Sequence, residues 1–116
     1  MTTNKRAVER YMDGFRRTDR EQILSCLADD VEWELPGAFS AKGKSAFSGH
    51  IVDEGFASHP EIIVTRMIEE DDVVVAEGRV RSRRRDGGVV SLMFCDVFEM
   101  RDGLIRRLTS YLMEVK

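Results

Sequence analysis

The stretch "SLMFCDVFEMRDGLIRRLTSY", Ser91–Tyr111, decides how the chain folds. Its first half alternates with period two, and alternate residues of a strand share a face. One face then carries Val90, Leu92, Phe94, Asp96, Phe98 and Met100. "RDG" supplies hairpin-turn chemistry, and "LIRRLTSYLMEV" follows as a second strand. Asp96 is the awkward residue. A bare buried carboxylate is very costly, so on an apolar face it must be paired, hydrogen-bonded or protonated. Both a neutral pocket acid and a buried ion pair with Arg79 satisfy that requirement.

Upstream, "EIIVTRMIEEDD" and "VVVAEGRVRSRRR" read as two more strands, and "DGG" marks the turn into Val89. The register of that last hairpin has two readings. A two-residue turn sets Arg79 opposite Phe94 and Glu77 opposite Asp96, on the inner face. A bulged turn shifts the pairing by one, and Gly78 and Val80 face inward instead.

The first half is mostly helical. Ala7, Val8, Tyr11, Met12 and Phe15 recur at helical spacing, which predicts an amphipathic helix over about residues 4–17. Thr18 and Glu21 resemble a capping box that starts a second short helix, with Ile23, Leu24 and Leu27 as its apolar face. "DDVEWELPG" switches to period two, with Val31, Trp33 and Leu35 on one side and Glu32 and Glu34 on the other. After Pro36-Gly37 the pattern gives a loop, then a helix from near Lys44 or Ser45 that fades by His59. Helices segregated from an antiparallel sheet define an α+β domain, and residues 1–116 show no internal boundary.

Composition narrows the function classes. The 116 residues suit one core, and the net charge of −3 gives no global pull toward nucleic acid or anionic membrane. Five arginines lie between Arg79 and Arg85. They sit at a hairpin tip without interleaved aromatics, which reads as solvated edge protection rather than a nucleic-acid patch. No run approaches the roughly 20 apolar residues of a membrane span. Cys26 and Cys95 lack metal or disulfide-scaffold spacing and read as small hydrophobes, with the cytoplasm as the default location. A P-loop, a dinucleotide fingerprint, CxxC and HExxH are absent from the sequence, so no cofactor or metal is implied.

The last strands are apolar on both faces. Leu104, Leu108 and Leu112 alternate on one, with Ile105, Tyr111, Met113 and Val115 on the other. A sheet of this kind is covered twice. Helices can cover one face, and a second subunit covering the other predicts a homodimer; scattered exposed apolar groups at a sheet edge are the alternative.

The first helix with Tyr11, then "TDREQILSCLADDVEWELPG", then long strands with "CDVFEMRDGLIRRLTSY", resembles the nuclear transport factor 2-like superfamily. Its SnoaL-like polyketide cyclases and ketosteroid isomerase-like members look most similar. The resemblance spans about residues 5–115 and implies a cone-shaped fold, with helices over the concave face of a curved antiparallel sheet and one deep pocket. As evidence for one reaction it is weak, because the fold hosts many activities.

In the steroid isomerases a helix tyrosine and a protonated strand aspartic acid donate to a ligand oxygen. By similarity these are Tyr11 and Asp96. Their catalytic base falls at Leu35, which cannot accept a proton, so His50 or another group would have to replace it. In the limonene epoxide hydrolases the two charged strand positions fall at Glu77 and Arg79, and the last-strand acid falls at Ser110. The cyclases' last-strand acid also falls near Ser110. Tyr11, Asp96 and His50 are therefore the candidate acting groups. Trp33, Leu35, Phe39, Phe47, Phe56, Glu77, Arg79, Phe94, Ser110 and Leu112 are the candidate pocket residues. The expected ligand is small and mostly apolar, with a carbonyl, hydroxyl or epoxide oxygen. The expected chemistry, if any, is a cofactor-independent isomerisation, cyclisation or hydration. The alternative is a non-catalytic ligand-binding or dimerisation module.

Overall fold

The computed structural model describes residues 1–51 and 59–115. Two helices, α1 (Thr3–Arg16) and α2 (Arg20–Ser25), lead into strands β1 (Leu27–Leu35) and β2 (Phe39–Lys42) and a short helix α3 (Gly43–Ser48). Four long strands follow: β3 (Glu61–Glu70), β4 (Val73–Arg83), β5 (Val89–Arg101) and β6 (Leu104–Glu114). They form one six-stranded sheet in the order β2-β1-β6-β5-β4-β3. All neighbours are antiparallel except β1 and β6, which run parallel. This is the expected α+β architecture, with β2 added where the sequence suggested only loop.

α1 buries Val8, Tyr11 and Met12 against the inner sheet face. Thr2 caps it by accepting from the Lys5 amide at 3.1 Å. Its far end is pinned to β3 by Arg16, whose Nε donates to the Ile62 carbonyl at 2.8 Å. α2 packs on α1 at Gly14, where a Cβ would lie 2.7 Å from Ile23 Cγ1. The cap of α2 corrects the expected box. Asp19, not Thr18, accepts from the Gln22 amide, while Thr18 sits at φ +50° with its hydroxyl 2.7 Å from His59 Nδ1.

Turn chemistry fixes which residues face inward. Arg84 donates its amide to Gly88 at 2.7 Å, and Gly87 takes φ +93°, so the β4–β5 turn is a three-residue loop. The register is therefore the shifted one: Gly78 pairs with Phe94, Ala76 with Asp96 and Val80 with Leu92. Glu77 and Arg79 point outward, opposite Cys95 and Met93, which overturns the reading that placed them in the pocket. The β5–β6 turn has Asp102 at φ +53° and Gly103 at φ +76°, a two-residue hairpin. A bulge beyond it shifts the pairing between Met100↔Ile105 and Glu99↔Arg107. Ile105 is thereby buried and Leu104 exposed, the reverse of simple alternation. The same shift brings Ser110 opposite Asp96.

Candidate functional site

A cavity of about 190 Å³ opens between α1 and the inner sheet face. Helix α1 contributes Tyr11, Met12 and Phe15. Trp33 and Leu35 come from β1, Val80 from β4, and Leu92, Phe94 and Asp96 from β5. Ser110 and Leu112 come from β6, with Pro60 and Ile62 on the remaining side. The wall is almost wholly apolar. Its polar side chains are Tyr11, Trp33, Asp96 and Ser110, and Asp96 is the one carboxyl among them.

Asp96 is 8% exposed. Its Oδ1 has no hydrogen-bond partner among the described residues. Burial raises its pKa from 3.8 to about 7, against a smaller opposing effect of hydrogen bonding from Ser110. The Ser110 hydroxyl in turn accepts from Trp33 Nε1 at 3.0 Å. Tyr11 is fully enclosed by Phe15, Phe47 and Phe98, with ring centroids 5.0, 6.3 and 5.4 Å away. Burial, and secondarily the negative charge of ionised Asp96, push the Tyr11 phenol well above its usual value of 10.0. At neutral pH Tyr11 is thus a donor. Asp96 exchanges its proton near neutrality, the range in which a general acid or base is most effective.

Seven of the expected residues converge on this cavity: Tyr11, Trp33, Leu35, Phe94, Asp96, Ser110 and Leu112. Phe47 is fully buried behind Trp33, stacked on its ring at 4.3 Å, and Phe39 packs edge-on to Trp33 at 5.1 Å. Both support the wall rather than form it. His50 is exposed and stacks on Phe39 at 3.8 Å, so it stands outside the cavity. Glu77 is held on the outer face by Arg66, whose Nε donates to it at 2.6 Å. Phe56 lies outside the described residues. Met12, Phe15, Pro60, Ile62, Val80 and Leu92 line the cavity as well, outside the expected pocket set. Met12 and Phe15 had a signal in the apolar stripe of α1. Val80 depended on the register, and nothing marked Pro60.

Helices folded over the concave face of such a sheet, with one apolar cavity between the layers, define the nuclear transport factor 2-like class. Residues 8–108 match the SnoaL-like domain family, and the chain belongs to it. TerC, co-crystallised with polyporic acid, superposes with a TM-score of 0.84 at 26% identity, over 94% of this chain and 90% of its own. An NTF2-like protein of unknown function from Burkholderia pseudomallei gives 0.87 at 21%, over 97% and 92%. An LEH-like epoxide hydrolase from M. tuberculosis gives 0.84 at 22%, over 96% and 83%. The last two establish the fold alone. No curated protein matches the chain.

Proposed function

We propose that this protein binds a small, mostly apolar molecule and grips one oxygen of it between neutral Asp96 and Tyr11. The observation that carries the reading is the unpartnered Asp96 Oδ1, buried in the wall of an otherwise apolar cavity. A buried polar atom without a partner costs roughly 1–3 kcal/mol, which a ligand oxygen recovers. The cavity is somewhat larger than the roughly 150 Å³ that admits benzene, so the ligand core is about one ring. TerC's pairing with polyporic acid supports a small organic ligand for this fold. Any reaction here is a one-carboxyl proton transfer: protonated Asp96 gives its proton to the ligand oxygen, the carboxylate so formed takes a proton from a carbon of the same ligand, and Tyr11 donates a hydrogen bond to that oxygen. Acetophenone and ethylbenzene, matched in shape, test the reading by calorimetry. Acetophenone should bind at least tenfold more tightly, and Asp96→Leu should remove the difference. Equal binding of the two by the unaltered protein contradicts the reading.

The same proposal includes a second copy on the outer sheet face. Eight of the ten exposed large hydrophobic side chains of the described residues lie there: Ile63, Ile68, Val89, Met93, Leu104, Tyr111, Met113 and Val115. Charge on this face is polar along the strands. Arg79, Arg81 and Arg83 lie toward one end, with Glu61 opposite Arg81, an Arg66–Glu77 pair lies between, and Glu32, Glu34 and Glu99 surround Arg107 at the other. A two-fold axis across the strands sets each end against its complement, a self-matching pattern suited to an isologous dimer.

A further inference from the structure

We infer that Trp33 and Ser110 act as a positioning relay that fixes which Asp96 oxygen carries the acid proton, so that the site is built for an acceptor-only ligand oxygen such as a ketone. The inference rests on the ligand-binding reading above and narrows it. An indole N–H can only donate. Trp33 Nε1 donates to Ser110 Oγ at 3.0 Å, inside the protein, so that oxygen serves as acceptor there. A serine hydroxyl has one proton, and its cross-strand neighbour is Asp96. Ser110 also hydrogen-bonds the Asp96 carboxyl in the sense that favours its charged form, so the hydroxyl proton is given to the carboxyl, and the Asp96 oxygen that faces Ser110 is an acceptor. The acid proton is left to Oδ1, which has no partner among the described residues. Asp96 lines the cavity wall, as does Tyr11, the residue that carries the second donor.

Two donors brought to one ligand atom, as the binding reading has them, select against groups that must themselves donate. A ketone, ether or epoxide oxygen accepts from both. An alcohol also accepts, but its own proton then meets an apolar wall, and a buried unpaired donor is penalised. The relay owes its geometry to the β6 bulge, because without that extra residue the partner of Asp96 would be a neighbour of Ser110 in the chain rather than Ser110 itself.

The test separates the relay from the binding reading, since half of it needs no ligand. The Asp96 carboxyl is titrated by isotope-edited NMR in the unaltered protein, Ser110→Ala and Ser110→Thr, and the Trp33 indole Hε1 resonance is followed in the same samples. Loss of a hydrogen bond to a charged group should raise the Asp96 midpoint by roughly one pH unit in Ser110→Ala, and Ser110→Thr should restore it. In the unaltered protein the Trp33 Hε1 signal should move with the same midpoint as Asp96. Acetophenone and 1-phenylethanol then read selectivity. The ketone should be preferred about tenfold by the unaltered protein and Ser110→Thr, and much less by Ser110→Ala. An Asp96 midpoint untouched by Ser110→Ala, or a Trp33 signal indifferent to Asp96, overturns the relay whatever binds. If Ser110→Ala does not fold, the Trp33 signal in the unaltered protein decides alone. A working relay with no ketone binding sinks the ligand reading instead.

Discussion

Asp96 concentrates the energetics of this molecule in one side chain. Its folded pKa of about 7 lies above its unfolded value near 3.8. Between about pH 4 and 7 the folded chain holds a proton that the unfolded chain has lost. Stability is therefore fully present below that window and falls as pH rises through it. The expected loss from pH 5 to pH 8 is about 2–3 kcal/mol from this group, at about 1.4 kcal/mol per unit. Asp96→Leu should flatten that dependence and be at least as stable as the unaltered protein at pH 8, by urea denaturation at several pH values. A buried ion pair predicts the opposite, a loss of about 3–5 kcal/mol on Asp96→Leu. Arg79 on the outer face removes the partner that this alternative needed. The sequence alone made Asp96 visible, because a carboxyl broke an apolar alternation. It left open whether arginine or emptiness faced it, because that depends on the turn between β4 and β5.

At the scale of elements, single residues in turns and bulges decided what periodicity left open. Alternation correctly sorted β5, and with it Phe94, Asp96 and Phe98. It failed at Ile105, where an extra residue in β6 exchanges the faces. It also failed at Glu77 and Arg79, where a three-residue loop replaced a two-residue one. His50 was attractive as a base by residue type alone, and its place beside Phe39 is a tertiary fact that no local pattern carries. Gly78 is a consequence of that register. A Cβ there would lie 2.1 Å from the Ile63 carbonyl and 2.7 Å from the Phe94 ring. Gly78→Ala should lower stability by about 1–3 kcal/mol or more through overpacking, a drop in thermal midpoint visible by calorimetry. The corrected cap gives a second check on local structure. Asp19→Ala should cost about 1 kcal/mol, while Thr18→Ala costs less, in paired denaturant titrations.

For the whole molecule, the layered design explains both the cavity and the proposed partner. Among the described residues the helices cover only the inner face of the sheet, and the outer face exposes Met93, Met113, Tyr111 and the arginines of β4. Of this arrangement the sequence carried the two-sided apolar pattern, but not the separation of charge along the strands, which required the register. Sedimentation equilibrium should give about twice the 13.3 kDa chain mass. Met93→Glu combined with Met113→Glu should give the monomer without loss of fold. A monomer at micromolar concentrations in the unaltered protein contradicts the dimer, and leaves the cavity argument untouched. No helix among the described residues is long and apolar enough to cross a membrane.

The proposed function turns on a protonated Asp96 beside the Tyr11 donor in the cavity. Titration of the Asp96 carboxyl between pH 3 and 9, alone and in Tyr11→Phe, tests it most directly. The expected midpoint is near 7 and moves when the Tyr11 hydroxyl is removed. A midpoint below about 4, in the ordinary carboxylate range, would mean an ionised group with a partner, and would contradict the proposed grip on a ligand oxygen.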